Sequence, residues 1–420
     1  MTPRRRFCMI TTFYPPYNFG GDGIYVHRLA NALAGQGHHV EVIHCIDTYR
    51  LMTGREPAGA YHDHPGVVVH GLRSPFGKLS PLATHQTGLP LLKGRIGQIL
   101  DQGFDVIHYH NISLVGGPGV LAWGRGIKLY SLHEYWLVCP THILFRYNRE
   151  VCEHPHCLTC TLSYRRPPQV WRYTGLIGRA LEHVDAFISS SRFTIEAHHA
   201  RGLPLRAVHL PHFTPAPDDE GASAPDGTDE PYFLYVGRLE KYKGLHTLFP
   251  IFRRRGAARL LVAGTGTDER ELRRLAAGIP NVHFLGHVES SRLHALYRRA
   301  VAVIVPTLAY EIFGMVVIEA FSHGTPAIVR NVGGMPELIA ESGAGFVYTT
   351  DEELITAMDR LLSIPSLRQM LSLRGYQAYL KNWTPEVHLK RYLALIDELT
   401  AARRSPGIAA VPAAVQQATR

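Results

Sequence analysis

Two carboxylates, Glu311 and Glu319, interrupt an apolar run, AYEIFGMVVIEAFSHGTP, residues 309–326. A carboxylate in apolar surroundings is costly unless something pairs with it. Gly314 lies between them and marks the expected start of a helix. The free N–H groups of Gly314, Met315 and Val316 would then form an anion site, and the glycine lets a ligand approach the backbone closely. The carboxylates flank that site. Each can accept two hydroxyl hydrogen bonds, which suits a ribose diol and a sugar hydroxyl. A capping carboxylate and a solvated one would explain this stretch equally well by itself. The segment VGRLEKYKG, residues 236–244, adds Arg238 and Lys243 at the end of an expected strand. Two fixed cations stabilise a diphosphate, above all as it departs and gains charge.

A second cluster of reactive side chains is HEYWLVCPTHILFRYNREVCEHPHCLTCTL, which holds Cys139, Cys152, Cys157 and Cys160 in a C-x12-C-x4-C-x2-C spacing. Four thiolates with one close pair suit tetrahedral zinc. A cubane iron–sulfur cluster is the rarer alternative, and four unlinked thiols are the third. A structural zinc is the expectation. No D-x-D triplet occurs in the chain, which argues against a metal-bridged donor site, so no catalytic metal is expected.

These residues need rigid elements to hold them. FCMITTFY, HHVEVIHC, FDVIHYHN, IKLYSLHEY and VDAFISSS read as strands separated by helical stretches, the pattern of parallel βαβ units. One α/β domain is expected over residues 1–210, with the cysteine-bearing insertion at 139–160. PHFTPAPDDEGASAPDGTDEP has linker composition, so 211–231 is expected to be a linker. A second α/β domain is expected over 232–384, through YFLYVGRL, ARLLVAGTG, NVHFLGHV, AVAVIVPT and TPAIVR. A periodic helix over 385–402 and a disordered tail over 403–420 complete the chain. Two such domains would face an interdomain cleft, with ligands beyond the carboxyl ends of the strands.

Composition sets wider limits. Hydrophobic residues make up 45% and charged residues 19% of the chain, enough for sizeable cores. No apolar run approaches the ~20 residues needed to span a bilayer. The start, MTPRRRFCMITTFYPP, reads as a first strand and not as a leader peptide, so a cytoplasmic protein is expected. The net charge of +9 is lopsided: Met1–Leu210 holds 21 Lys and Arg against 13 Asp and Glu, leaving 23 against 22 for the rest. The basic half is expected to meet something anionic, such as the inner face of a membrane, a lipid phosphate or an acidic glycan. Nothing in the chain reads as a nucleic-acid motif.

In this order, FGGDGIYVHRLANALAGQGHHVEVI, GRLEKYKG, VAGTG, NVHFLGHV, EIFGMVVIE and GGMPELI resemble the retaining glycosyltransferases of family 4, nucleotide-sugar enzymes with the GT-B fold. The resemblance covers nearly the whole chain. It implies two Rossmann-like domains, an N-terminal acceptor domain and a C-terminal donor domain, with the last helix crossing back to the N-terminal one. The apolar face Val387, Tyr392, Leu395, Ile396 and Leu399 would make that contact. Glu319 would bind the ribose of a UDP-, GDP- or ADP-sugar, Glu311 the donor sugar, and the amides of Gly314, Met315 and Val316 its hydroxyls or phosphate. Arg238 and Lys243 would neutralise the departing diphosphate, and Gly264 and Gly266 would line the nucleotide. Gly20 and Gly21 would let donor or acceptor approach the first domain, and His133 would lie near the donor sugar, although one histidine among 25 is more often structural. The implied reaction is sugar transfer to an acceptor hydroxyl, in glycan, exopolysaccharide or glycolipid assembly. The alternatives are a non-catalytic nucleotide-sugar-binding protein or a GT-B epimerase; the epimerases share the fold without this glutamate pair and its cationic partners.

Overall fold

The strands are apolar almost without interruption because parallel strands covered by helices on both faces have no solvent side. In the computed structural model, which describes residues 3–57, 59, 61–90, 93–217, 230–256 and 258–404, these segments form two parallel sheets. Most of the expected linker, 218–229, and the tail from 405 lie outside the described residues. The first sheet contains β1 (Arg6–Ile10), β2 (His39–Cys45), β3 (Val67–Leu72), β4 (Val106–Tyr109) and β5 (Ile127–Ser131). A two-residue pair, β6 (Phe145–Arg146) and β7 (Glu150–Val151), forms a separate hairpin, and β8 (Ala186–Ser189) and β9 (Ala207–His209) complete the first sheet. Its order is β3-β2-β1-β4-β5-β8-β9.

The second sheet contains β10 (Tyr232–Val236), β11 (Arg259–Ala263), β12 (Val282–Gly286), β13 (Ala302–Val305), β14 (Ala327–Arg330) and β15 (Gly345–Tyr348), in the order β12-β11-β10-β13-β14-β15. Both sheets therefore reverse direction beside their first strand, between β1 and β4 and between β10 and β13. That reversal opens a crevice at the carboxyl ends of the two strands, the place where doubly wound sheets bind ligands.

The described residues fall into two compact units, one taken from Met1–His142, Cys157–Pro211 and Pro385–Arg420, the other from Ile143–His156 and His212–Thr384. Residues 143–156 thus group with the second unit, whereas the whole cysteine-bearing insertion was expected with the first. The last helix, Pro385–Arg404, packs on the first unit and runs two residues past its expected end. Proline at its first position has no orphan N–H to satisfy and is preset for a helix. The buried face is His388, Leu389, Tyr392, Leu393, Leu395, Ile396 and Leu399. Val387, expected on that face, is only partly buried, because the helical phase turns His388 and Leu389 inward instead. Tyr392 stacks on Phe7 at 6.3 Å between ring centroids, and Arg403 pairs with Asp185 at 2.6 Å. Among the described residues no helix is long and apolar enough to cross a membrane.

Candidate functional site

In the second unit the loops after β10 and β13 are stitched together at the crevice. The Tyr242 carbonyl accepts from the amides of Leu308 at 2.8 Å and Ala309 at 3.3 Å. Their approach requires glycine at 244: its φ is +75°, and a Cβ there would lie 2.0 Å from the Pro306 carbonyl oxygen. This stitching brings Lys243 to Glu311. The ammonium donates to both carboxylate oxygens, at 2.8 Å and 3.1 Å. Glu311 is therefore not an isolated carboxylate in an apolar run; its charge is answered by a cation 68 residues earlier.

Arg238 lies on the same edge. Its guanidinium donates to Glu240 at 2.9 Å and to the Tyr242 hydroxyl. The Tyr242 ring stands beside both cations, 5.9 Å from Arg238 and 5.6 Å from Lys243, within cation–π range. Burial, with smaller contributions from Glu240 and Glu311, raises the Tyr242 hydroxyl far above its ordinary value, so it stays neutral. Tyr242 was missed as a site residue; the only sequence signal was an aromatic flanked by two lysines.

Gly314 caps the helix Met315–Ser322 with φ +94°, and a Cβ there would meet the Met335 sulfur at 2.5 Å. A left-handed residue in so tight a place must be glycine. The amides of Met315 and Val316 head this helix, where intrahelical partners are lacking. Glu311 is held from behind: its carbonyl accepts from Gly334 at 2.7 Å, and a Cβ on Gly333 would come within 2.4 Å of that oxygen. Glu319 lies one turn into the helix, where its carboxylate accepts from the Tyr297 hydroxyl at 3.2 Å. Gly264 and Gly266 follow β11, and their lack of side chains serves loop packing. A Cβ would lie 2.0 Å from the Gly237 carbonyl oxygen at the first and 2.3 Å from that of Leu239 at the second. Arg238, Lys243, Glu311, Gly314, Met315, Val316 and Glu319 thus belong to one carboxyl edge.

The first unit carries its own cluster at the corresponding edge. Gly20 caps the helix Gly21–Gly35, and only Gly21 of the two leaves open space where a side chain would stand. His133 follows β5, its Nε2 2.9 Å from Nδ1 of His110 and its ring stacked on that of His110 at 5.1 Å. Part of its surface stays accessible, yet Tyr25 and His110 enclose the ring, and burial lowers its pKa to about 4 against the opposing charge of Asp22. His133 is therefore neutral at neutral pH.

Behind it lies a buried network. His108 sits between the Tyr392 hydroxyl and the Ser131 hydroxyl, each at 2.9 Å. His388 donates from Nδ1 to the Pro211 carbonyl at 2.8 Å, so its Nε2 accepts from the Tyr25 hydroxyl at 3.0 Å. His108 and His110 were missed, although HYHN places them two residues apart at the end of a strand, on one face.

The six cysteines form no disulfide. Cys139 and Cys160 are buried, Cys152 and Cys157 partly so, and Cys139 Sγ lies 3.2 Å from the Thr141 hydroxyl. Burial, with the neighbouring Cys139 and Cys160, raises the Cys157 thiol. Among the described residues no group of three or more His, Cys, Asp or Glu is arranged to hold a metal ion.

Most of the chain is similar to known proteins. The family model described as Glycosyl transferase 4-like domain matches residues 20–212, and that described as Glycosyl transferases group 1 matches residues 219–378. A glycogen synthase of Mycobacterium tuberculosis is 28% identical over 382 residues, 81% of each chain. Among solved structures, a sucrose-phosphate synthase from Thermosynechococcus elongatus superimposes with a TM-score of 0.73 at 23% identity, over 95% of this chain and 100% of that one. HepE of Anabaena, solved in complex with UDP-glucose, gives 0.63 at 15% identity, over 95% and 100%. The two matched ranges hold β2–β9 and β10–β15 in turn, and the chain belongs to the family 4 retaining glycosyltransferases of the GT-B fold.

Proposed function

We propose that the second unit binds a nucleoside-diphosphate hexose at the edge formed by the loops after β10 and β13. The observation that carries the assignment is the Lys243–Glu311 pair, 2.8 Å apart beside the N-terminus of the Met315–Ser322 helix. Glu319 takes the ribose hydroxyls. Glu311 and the Met315 and Val316 amides take the sugar and its phosphate. Arg238 and Lys243 hold the diphosphate, with Gly264 and Gly266 along the nucleotide. In the first unit, His133, neutral and able to exchange hydrogen bonds, reads a sugar hydroxyl, and Gly20 and Gly21 admit donor or acceptor.

Transfer then forms a bond from the acceptor oxygen to the anomeric carbon on the face from which the diphosphate leaves. The anomeric carbon–phosphate oxygen bond breaks, and the acceptor proton passes to a diphosphate oxygen. Configuration is retained, and positioning plus charge stabilisation supply the rate. The scheme uses no catalytic metal, because the two cations already answer the leaving charge. The acceptor is a hydroxyl on a glycan or a lipid-linked sugar, reached in the cytoplasm at the inner face of a membrane.

UDP-glucose is the first donor to test, since a structural neighbour is solved with it. The matching donor among UDP-, GDP- and ADP-sugars is expected to raise the melting temperature; at a hundredfold excess over Kd, binding adds about 2.7 kcal/mol. The same donor is expected to release free nucleoside diphosphate slowly without acceptor. Stabilisation without any release would leave a binding protein and not an enzyme.

A structural zinc at Cys139, Cys152, Cys157 and Cys160 is supported by their spacing, one close pair among four thiols. Elemental analysis of protein purified without added metal is expected to find about one zinc per chain, the stoichiometry of a four-thiolate site. Protein free of metal and indifferent to a chelator would leave four thiols.

A further inference from the structure

The sequence has no acidic residue between Asp63 and Asp101, and none between Glu153 and Glu182. The two segments hold eight basic residues: Arg73, Lys78, Lys93 and Arg95 in one, and Arg165, Arg166, Arg172 and Arg179 in the other. The first unit brings parts of the two segments together. The Trp171 indole donates to the His85 carbonyl at 2.8 Å, and a side chain at Gly88 would meet Leu176 and Trp171.

The helix Leu79–Thr87 in this region is turned inside out. It buries Ser80, Pro81, Thr84 and His85 and presents Leu79 and Leu82 to solvent. Around it, Phe76 is 70% exposed, Leu79 65%, Val170 64% and Tyr173 73%. Single exposed apolar residues are ordinary. A helix that hides its small and polar side chains while showing its leucines, beside exposed aromatics, marks a surface that something apolar covers.

The charge decides what covers it. Arg73, Lys78 and Arg179 are exposed within the same two acid-free segments. Apolar and aromatic tips set among basic side chains, with no carboxylate in either segment, complement an anionic lipid surface. The tips enter the headgroup–acyl boundary while the cations meet lipid phosphates.

We propose that this face docks the enzyme peripherally on an anionic bilayer. Phe76, Leu79, Val170 and Tyr173 insert, and Arg73, Lys78 and Arg179 contact headgroups. The proposal deepens the membrane contact suggested above and rests on it, but it uses no residue of the donor site.

The test is sedimentation of the full chain with vesicles of phosphatidylcholine alone or mixed with phosphatidylglycerol. Binding is expected to the mixed vesicles and not to the neutral ones, and to weaken with salt. The Lys78→Glu/Arg179→Glu variant is expected to lose at least about twenty-five-fold in partitioning, at roughly fivefold for each cation removed from the surface. Phe76→Ser/Leu79→Ser is expected to lose binding even at low salt. Both variants should release nucleoside diphosphate from the donor at the wild-type rate, which separates failure of docking from failure of the donor-site reading. Equal binding to both vesicle types, unchanged partitioning in either variant, or no vesicle binding at all overturns the proposal. Concentration-dependent self-association in place of vesicle binding, abolished by Phe76→Ser/Leu79→Ser, would assign the face to a second copy of the chain and also overturns it.

Discussion

Lys243→Ala is expected to lower kcat by about 10²–10³-fold, the usual effect of removing one preorganised group that answers developing charge, while donor affinity falls much less. The diphosphate gains negative charge as the anomeric bond breaks, so a fixed cation beside it is worth more in the transition state than in the bound donor. The geometry adds a second cause. With Lys243 gone, the Glu311 carboxylate loses a partner at 2.8 Å and stands beside the leaving anion as an uncompensated charge. Glu311→Ala in the Lys243→Ala background should therefore cost less than Glu311→Ala alone, a coupling expected between residues in direct contact. Arg238→Ala should act in the same direction by about tenfold, because its guanidinium is 42% exposed and more screened. Steady-state and single-turnover rates with saturating donor measure all three. An unchanged kcat in Lys243→Ala would remove that residue from the leaving-group role.

Acid is expected to unfold the first unit before the second. Burial lowers the pKa of His44, His85, His198 and His388 from 6.5 to about 4, and holds that of His108 well below its ordinary value. All five belong to the first unit. The folded state holds these rings neutral, so between the two pKa values the unfolded chain binds more protons. Their contribution to stability is complete above about pH 6.5, is lost as pH falls through the window, and is gone below about pH 4. Each group steepens the pH dependence by up to about 1.4 kcal/mol per unit. Several acting together should produce a sharp acid transition within that window. In the second unit burial lowers His246, His283 and His323 in the same direction, but these three rings are only partly buried, whereas the five in the first unit are buried. Segment-resolved hydrogen exchange across the window is the measurement. Loss of protection in β10–β15 ahead of β1–β5 would show that these histidines do not control acid stability.

The sequence by itself determined the central strands of both sheets and singled out the residues of the candidate site. Buried strands such as β10 and β13 were legible because burial on both faces leaves no charged interruption. The glutamates and the Arg238–Lys243 loop were legible because charged residues beside apolar strand ends are costly without a function. Three of the four edge strands were not legible. β3, β9 and β15 are short or half-exposed, and GVVVHGL, AVHL and GFVY carry too few residues for a period to stand out.

Only the tertiary structure decided which charges meet. Lys243 and Glu311 are 68 residues apart, and they pair because β10 and β13 are neighbours in the sheet and glycine at 244 lets their loops touch. The histidine network depended on folding still more. HYHN placed His108 and His110 on one face, but their partners arrive from β5, the first helix and a terminal helix up to 284 residues away. A single chain read in order records which groups are costly to bury. It does not record which distant group relieves that cost, because the pairing follows from sheet order and helix phase, which are set by packing of the whole unit.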